Sequence, residues 1–190
     1  IEDGPDAEIV KVLKGPERLV RFKTPIGPHL DSVGNVPLPP YIHTQLDDPE
    51  RYQTVYAKEP GSAAAPTAGL HFTPKLMEKL RKKGVAFARL TLHVGLDTFA
   101  PVTEADPNEH QIHTEWCELP DVAAEQINKA KRAGGKIIAV GTTSVRTLET
   151  AARSSAEGEV VASYLGPTDL FILPGYDFLA VDALITNFHL

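Results

Sequence analysis

Three histidines and a carboxylate sit where they could move protons. His110, His113 and Glu115 form an H-x-x-H-x-E run, and His93 lies upstream of it in Leu92-His93-Val94. On a strand, His113 and Glu115 would face one side and His110 the other. Imidazole titrates near neutral pH and a nearby carboxylate holds its tautomer, so this group suits general acid/base work. Two histidines and one carboxylate on a strand match no zinc signature, so no metal site is expected. His93, flanked by apolar neighbours, reads either as an acid/base or as a satisfied core histidine, and both readings stand.

A second chemistry is anion binding. Residues 134–155 run from Gly-Gly through the apolar Ile137-Ile138-Ala139-Val140 to Gly141-Thr142-Thr143-Ser144, and then into Val145, Leu148, Ala151 and Ala152 at helical spacing. The pattern predicts a buried strand feeding a helix. Thr142, Thr143 and Ser144 are N-cap residue types, and a helix start presents unpaired N–H groups with about half a positive charge. Arg146, one turn in, could clamp a carboxylate or phosphate. The competing reading is an ordinary capped turn, because no Walker or dinucleotide glycine pattern is present.

Three strand ends carry such clusters: His93 with Asp97-Thr98-Phe99, the Gly141–Ser144 turn with Arg146 and Glu149, and Thr186-Asn187-Phe188-His189. If the strands are parallel, all three converge on one rim. That rim suits a flat heteroaromatic ligand with a charged tail. Phe99 would stack, Asn187 and His189 would read a base edge, and Arg146 would meet the anion. Cys117 beside Trp116 reads as packing.

The elements that must position these residues follow from the pattern. Residues 7–23 alternate around Lys14-Gly15-Pro16-Glu17, a hairpin that is marginal alone. Residues 24–40 are rich in proline and glycine and read as a linker or a rigid irregular crossing between two units. The small-residue loop at 61–69 is a flexible linker or a backbone surface for a flat ligand. Thr73-Pro74 starts a helix that stops at Gly84. Strands are expected at 85–94, 110–119, 136–140, 171–173 and 181–185, and a further helix at 122–133. This order predicts an α/β fold, a mainly parallel sheet with flanking helices.

Composition bounds the rest. The 190 residues fit one medium domain or one plus part of another. No apolar run reaches membrane-span length and no basic, apolar leader opens the chain. One cysteine excludes an internal disulfide and fits a reducing compartment, the cytoplasm. The net charge of -6 argues against indiscriminate nucleic-acid binding but leaves local basic faces open, at 79–83 and 129–132. The start at Ile1 and the stop at Leu190 read as cut ends, so a fragment is expected. No G-x-S-x-G elbow or G-x-G-x-x-G loop occurs, which leaves hydrolase triads and dinucleotide sites unsupported.

Eight ordered phrases carry a resemblance. They are Val36-Pro-Leu-Pro-Pro-Tyr-Ile42, RYQTVYA (51–57), AAPTAGLHF (64–72), TLHVGLDTFAPV (91–102), H-x-x-H-x-E (110–115), AVGTTSVRTLE (139–149), FILPGY (171–176) and ITNFHL (185–190). Together they resemble the S-adenosylmethionine:tRNA ribosyltransferase-isomerase family of queuosine biosynthesis, almost continuously over 36–190. The resemblance implies an α/β catalytic domain over 36–190, with 1–35 the remnant of a small β-barrel domain and linker. It implies transfer and isomerisation of the ribosyl unit of S-adenosylmethionine onto 7-aminomethyl-7-deazaguanine at the tRNA wobble position. Epoxyqueuosine-tRNA, adenine and methionine are the products. S-adenosylmethionine is then a substrate, with no true cofactor and no metal, and the protein a cytoplasmic monomer.

That chemistry needs a base beside the sulfonium, an amine nucleophile and an acid for adenine. His93 or His113 would be the base, with Glu115 orienting His113. Thr142, Thr143, Ser144 and Arg146 would hold the methionine carboxylate or a tRNA phosphate. The alternative class is a non-catalytic tRNA- or nucleotide-binding α/β domain. An ordinary methyltransferase lacks the glycine-rich first loop it would need.

Overall fold

A computed structural model describes residues 4–13, 18–34, 38–39, 42–43, 46–95, 106 and 112–187. His110, Phe99 and His189, which the sequence singles out, lie outside the described residues. The chain divides into two units, Ile1–Pro37 and Leu38–Leu190.

In the first unit, strand β1 (Ala7–Val12) pairs antiparallel with β2 (Arg18–Phe22), with an irregularity between Ile9 and Lys11. Lys23 closes the open end through Asp6 at 2.6 Å. Ile9, Val12, Leu19 and Val20 are all exposed, so within this unit the hairpin gains little from burial. The proline- and glycine-rich stretch after it contains a 3₁₀ turn, Gly27–His29, and one helical turn, α1 (Leu30–Val33).

The second unit is built around one helix. Strand β5 (Ile138–Val140) turns at Gly141 into α4 (Thr142–Ala152). Gly141 holds φ at +91°, a conformation that side chains disfavour, and it is itself the N-cap. The three hydroxyl residues therefore lie inside the first turn and do not cap it. Val145, Thr147, Leu148, Glu149, Ala151 and Ala152 are all buried, because α4 packs against strands of both sheets in this unit. Its apolar residues join Ala123, Ala124 and Ile127 of α3 (Asp121–Arg132), together with Leu119, Ile137, Ala139, Val161 and Ala180, in one core. Helix α2 (Pro74–Lys82) begins as expected, with the Thr73 hydroxyl accepting from Leu76 N–H at 3.2 Å.

One sheet has the order β3 (Thr91–His93), β4 (Glu115–Leu119), β6 (Tyr164–Thr168) and is antiparallel throughout. The other pairs β5 with β7 (Ala183–Ile185) in parallel. A mainly parallel sheet is thus corrected: among the described residues only β5 and β7 run parallel. The cause is that β4 and β5, joined through α3, enter different sheets, so the helix–glycine–strand order does not make them neighbours.

Strand β6 was missed, because Gly166 and Pro167 break the strand pattern. Pro167 is tolerated because β6 is the edge of its sheet. The expected strand at 171–173 is absent, and that at 85–94 shrinks to Thr91–His93.

The connections are pinned by buried or shared polar groups. Asn128 accepts from Val160 and Val161 N–H and donates to Val161 O at 2.8 Å. Asp182 accepts from Ile137 N–H at 2.7 Å and pairs with Lys131 at 2.6 Å. These bonds hold its carboxyl below the usual range, the Lys131 hydrogen bond contributing most. No helix of the described residues is long and apolar enough to cross a membrane.

Candidate active site

Cross-strand pairing decides which face each residue takes. His93 pairs with Trp116 and Leu92 with Cys117, so His93 and Trp116 share one face. Glu115 and Cys117 take the other, under α4. Burial agrees: Glu115 and Cys117 are buried, while Trp116 is half exposed. His93 and Glu115 therefore stand on opposite faces of the same sheet.

Beneath α4 the structure assembles a polar cluster. Arg146 leaves the second turn of α4 and donates from Nη1 to Glu115 Oε2, in a short contact. Its Nη2 donates to the carbonyls of His113 at 2.7 Å and Thr168 at 2.9 Å. One guanidinium thus ties the entry of β4 to the exit of β6. Glu115 Oε1 accepts from Gly95 N–H at 3.2 Å and lies 3.1 Å from His113 Nε2. The expected His113–Glu115 neighbourhood is present, and the exit of β3 joins it through Gly95. Thr150 and Thr168 share a 2.7 Å hydrogen bond behind the cluster.

The carboxylate and the guanidinium are nearly buried while His113 keeps a quarter of its side chain exposed. The imidazole is therefore the member of the three that solvent reaches, and the buried pair lies behind it. Arg146 spends both Nη groups on protein acceptors, which differs from the open anion clamp expected of it. Its Nε is buried with no partner among the described residues.

Cys117 lies beside the pair. Burial pushes its thiol up, and the opposing pull of a Thr147 hydrogen bond and the Arg146 charge is smaller. It remains a packed thiol, as its sequence context suggested.

The first turn of α4 lies next to the exit of β7, since Gly141 N–H donates to Ile185 O at 2.8 Å. Two strand ends expected on one rim, those of β5 and β7, are therefore adjacent, with half-buried Asn187 two residues beyond β7. Ser144 turns its hydroxyl back to Val140 O at 2.8 Å, and the Thr143 carbonyl accepts from Thr147 at 3.1 Å. Thr142 is exposed.

Glu149, read as part of the same rim, is fully buried. It accepts from Tyr176 OH and from the N–H groups of Leu179, Ala180 and Val181 at 2.8–3.1 Å. It is an anchor for the segment that leads into β7. The loop at 61–64 also acquires a place. Ala63 N–H donates to Val94 O at 2.8 Å, and Val94 N–H to Ser62 Oγ at 3.1 Å. Sequence reasoning missed Gly95, Thr168 and Ser62, because backbone groups and single hydroxyls carry no spacing signal.

Known proteins match along almost the whole chain. The family described as queuosine biosynthesis protein matches residues 5–190. The S-adenosylmethionine:tRNA ribosyltransferase-isomerase of Symbiobacterium thermophilum is 58% identical over 85% of this chain and 46% of its own length. That of Natranaerobius thermophilus is 51% identical over 97% of this chain and 54% of its own. A crystal structure of the S-adenosylmethionine tRNA ribosyltransferase of Thermotoga maritima is 46% identical, with TM-score 0.49 over 65% of this chain and 36% of that one. The chain spans about half the length of the curated relatives it matches. With a family match that runs from residue 5 to residue 190, the chain belongs to the queuosine biosynthesis protein family.

Proposed function

We propose that the protein carrying this chain is an S-adenosylmethionine:tRNA ribosyltransferase-isomerase. It transfers and isomerises the ribosyl unit of S-adenosylmethionine onto 7-aminomethyl-7-deazaguanine at the tRNA wobble position, giving epoxyqueuosine-tRNA, adenine and methionine. The observation that carries the reading is the His113–Glu115–Arg146 network, whose residues fall inside the phrases that define the resemblance.

His113 is the first choice for the base that takes the proton beside the sulfonium. With Nε2–H donated to Glu115, the lone pair is on Nδ1. Glu115 fixes that tautomer, and Arg146 with Gly95 N–H keeps the carboxylate aimed. His93, on the other face of the sheet, is the alternative to His113 for that base. Asn187, Thr142, Thr143, Ser144, Phe99 and His189 remain proposed substrate contacts, and Arg146 acts through Glu115. S-adenosylmethionine is consumed, so no resident cofactor or metal is required.

The modified base must leave the anticodon stack, at a cost of about a few kcal/mol, which a loop tolerates better than a duplex. Lys79, Arg81, Lys82 and Lys83 near the end of α2 are candidate phosphate contacts. The hairpin unit would belong to the family's small β-barrel domain, and the protein would act as a cytoplasmic monomer.

The test uses the full-length parent with ribosyl-labelled S-adenosylmethionine and tRNA bearing the aminomethyl-deazaguanine base. Free adenine together with label in tRNA supports the transferase. Tight tRNA binding without adenine leaves a binding module, and S-adenosylhomocysteine would mark a methyltransferase.

A further inference from the structure

Strand β3, which ends at His93, pairs with β4 along one edge, and among the described residues its other edge is met by residues 61–64. There Ala63 donates to Val94 O at 2.8 Å, and Val94 N–H donates to the Ser62 hydroxyl at 3.1 Å. The same hydroxyl donates onward to Ala64 O at 3.0 Å, so Ser62 is used twice. Immediately before it, Gly61 holds φ at +118°, and a methyl group built there would lie 3.3 Å from His93 Nδ1 and 3.5 Å from Cε1. The Nδ1–Cε1 edge of the imidazole therefore faces the space that a side chain at position 61 would fill.

The geometry points to Gly61 and Ser62 as positioning residues that set the ring orientation of His93. The inference rests on the reading of His93 as an acid/base group of the proposed transferase. Gly61 supplies the absence of a side chain, since a Cβ there would crowd the ring. Ser62 supplies the tie that keeps the loop at the strand edge. Reactivity is steep in position, because a misplacement of about 1 Å can cost roughly a hundredfold in rate.

The test compares Gly61→Ala, Ser62→Ala, Ser62→Thr and His93→Gln in the full-length enzyme. Single-turnover ribosyl transfer is followed across pH, with imidazole ¹⁵N shifts of His93 and the Tm of each variant. Gly61→Ala and Ser62→Ala are expected to lower the rate by about tenfold to a hundredfold, to change its pH profile and to move the His93 ¹⁵N shifts. Ser62→Thr, which keeps the hydroxyl, restores rate and profile. Ser62→Ala covers the case in which alanine at the positive φ of Gly61 unfolds the loop. If His93→Gln is inactive while Ser62→Ala keeps the wild-type rate, profile and shifts, the positioning role is overturned and the transferase reading survives. If His93→Gln is fully active, the acid/base role of His93 falls and this inference falls with it.

Discussion

Glu149→Gln separates an anchoring carboxylate from a catalytic one. In the native protein Oε1 accepts from Ala180 and Val181 N–H, and Oε2 accepts from Leu179 N–H and Tyr176 OH. A carboxamide with its oxygen at the Oε1 position keeps the first two bonds but without the negative charge. Each then falls from the charged to the neutral class, a loss of about 1 kcal/mol apiece. Tyr176 can reverse and accept from the new NH₂ group. Leu179 N–H cannot reverse, so two donors face each other at a fully buried position, costing roughly 1–3 kcal/mol. The lighter desolvation of a neutral side chain returns part of this. The net expectation is a loss of about 2–4 kcal/mol.

For a domain of this size each kcal/mol lowers Tm by about 2–4 °C, so Tm falls by roughly 4–16 °C. Thermal unfolding by circular dichroism reads this directly, and urea titration gives the free energy. Below the lowered Tm, ribosyl transfer by the full-length protein should stay within about threefold of wild type, because among the described residues Glu149 accepts its hydrogen bonds from backbone N–H groups and Tyr176. An unchanged Tm would refute the anchoring argument. A normal Tm with a collapsed rate would return Glu149 to the chemistry.

Further expectations follow from the same contacts. Glu115→Ala leaves the buried Arg146 guanidinium unpaired and should cost about 3–5 kcal/mol, whereas the Glu115→Ala/Arg146→Ala pair should be distinctly less than additive in a double-mutant cycle. Asp182→Asn should destabilise by roughly 1–2 kcal/mol at neutral pH. Because folding lowers the Asp182 pKa, its contribution is present above the ordinary carboxylate range and is lost as pH falls through the folded value, so wild type and variant should converge in urea titrations at low pH. Cys117, buried and with its thiol pushed up, should react with iodoacetamide only on unfolding, as mass spectrometry with and without urea would reveal. Gly69→Ala should lower Tm, since the added methyl would collide with the Tyr56 hydroxyl.

The local elements were legible where pattern and punctuation agree. Thr73-Pro74 starts α2 and the apolar spacing from Val145 to Ala152 marks α4, because capping and periodicity are short-range physics. Sheet partners were not legible. Whether β4 joins β5 or β6 depends on packing between elements far apart in sequence, and Pro167 hides β6 from any propensity argument. The site was readable to the same depth. His113 and Glu115 are two residues apart, so their contact follows from strand alternation. Arg146 and Glu115 meet only because α4 covers the antiparallel sheet, and no local signal distinguishes an arginine that pairs inward from one that clamps a ligand. The opposite faces of His93 and Glu115 are set by the register Leu92–Cys117, which is a tertiary fact.

The most direct test of the account is single-turnover ribosyl transfer by full-length His113→Ala, with tRNA affinity measured on the same preparation. With His113 as the base, the rate falls by about 10²–10⁴-fold with tRNA affinity preserved, as for removal of a positioned proton-transfer group. A wild-type rate at unchanged affinity would contradict it and release the His113–Glu115–Arg146 network from the chemistry.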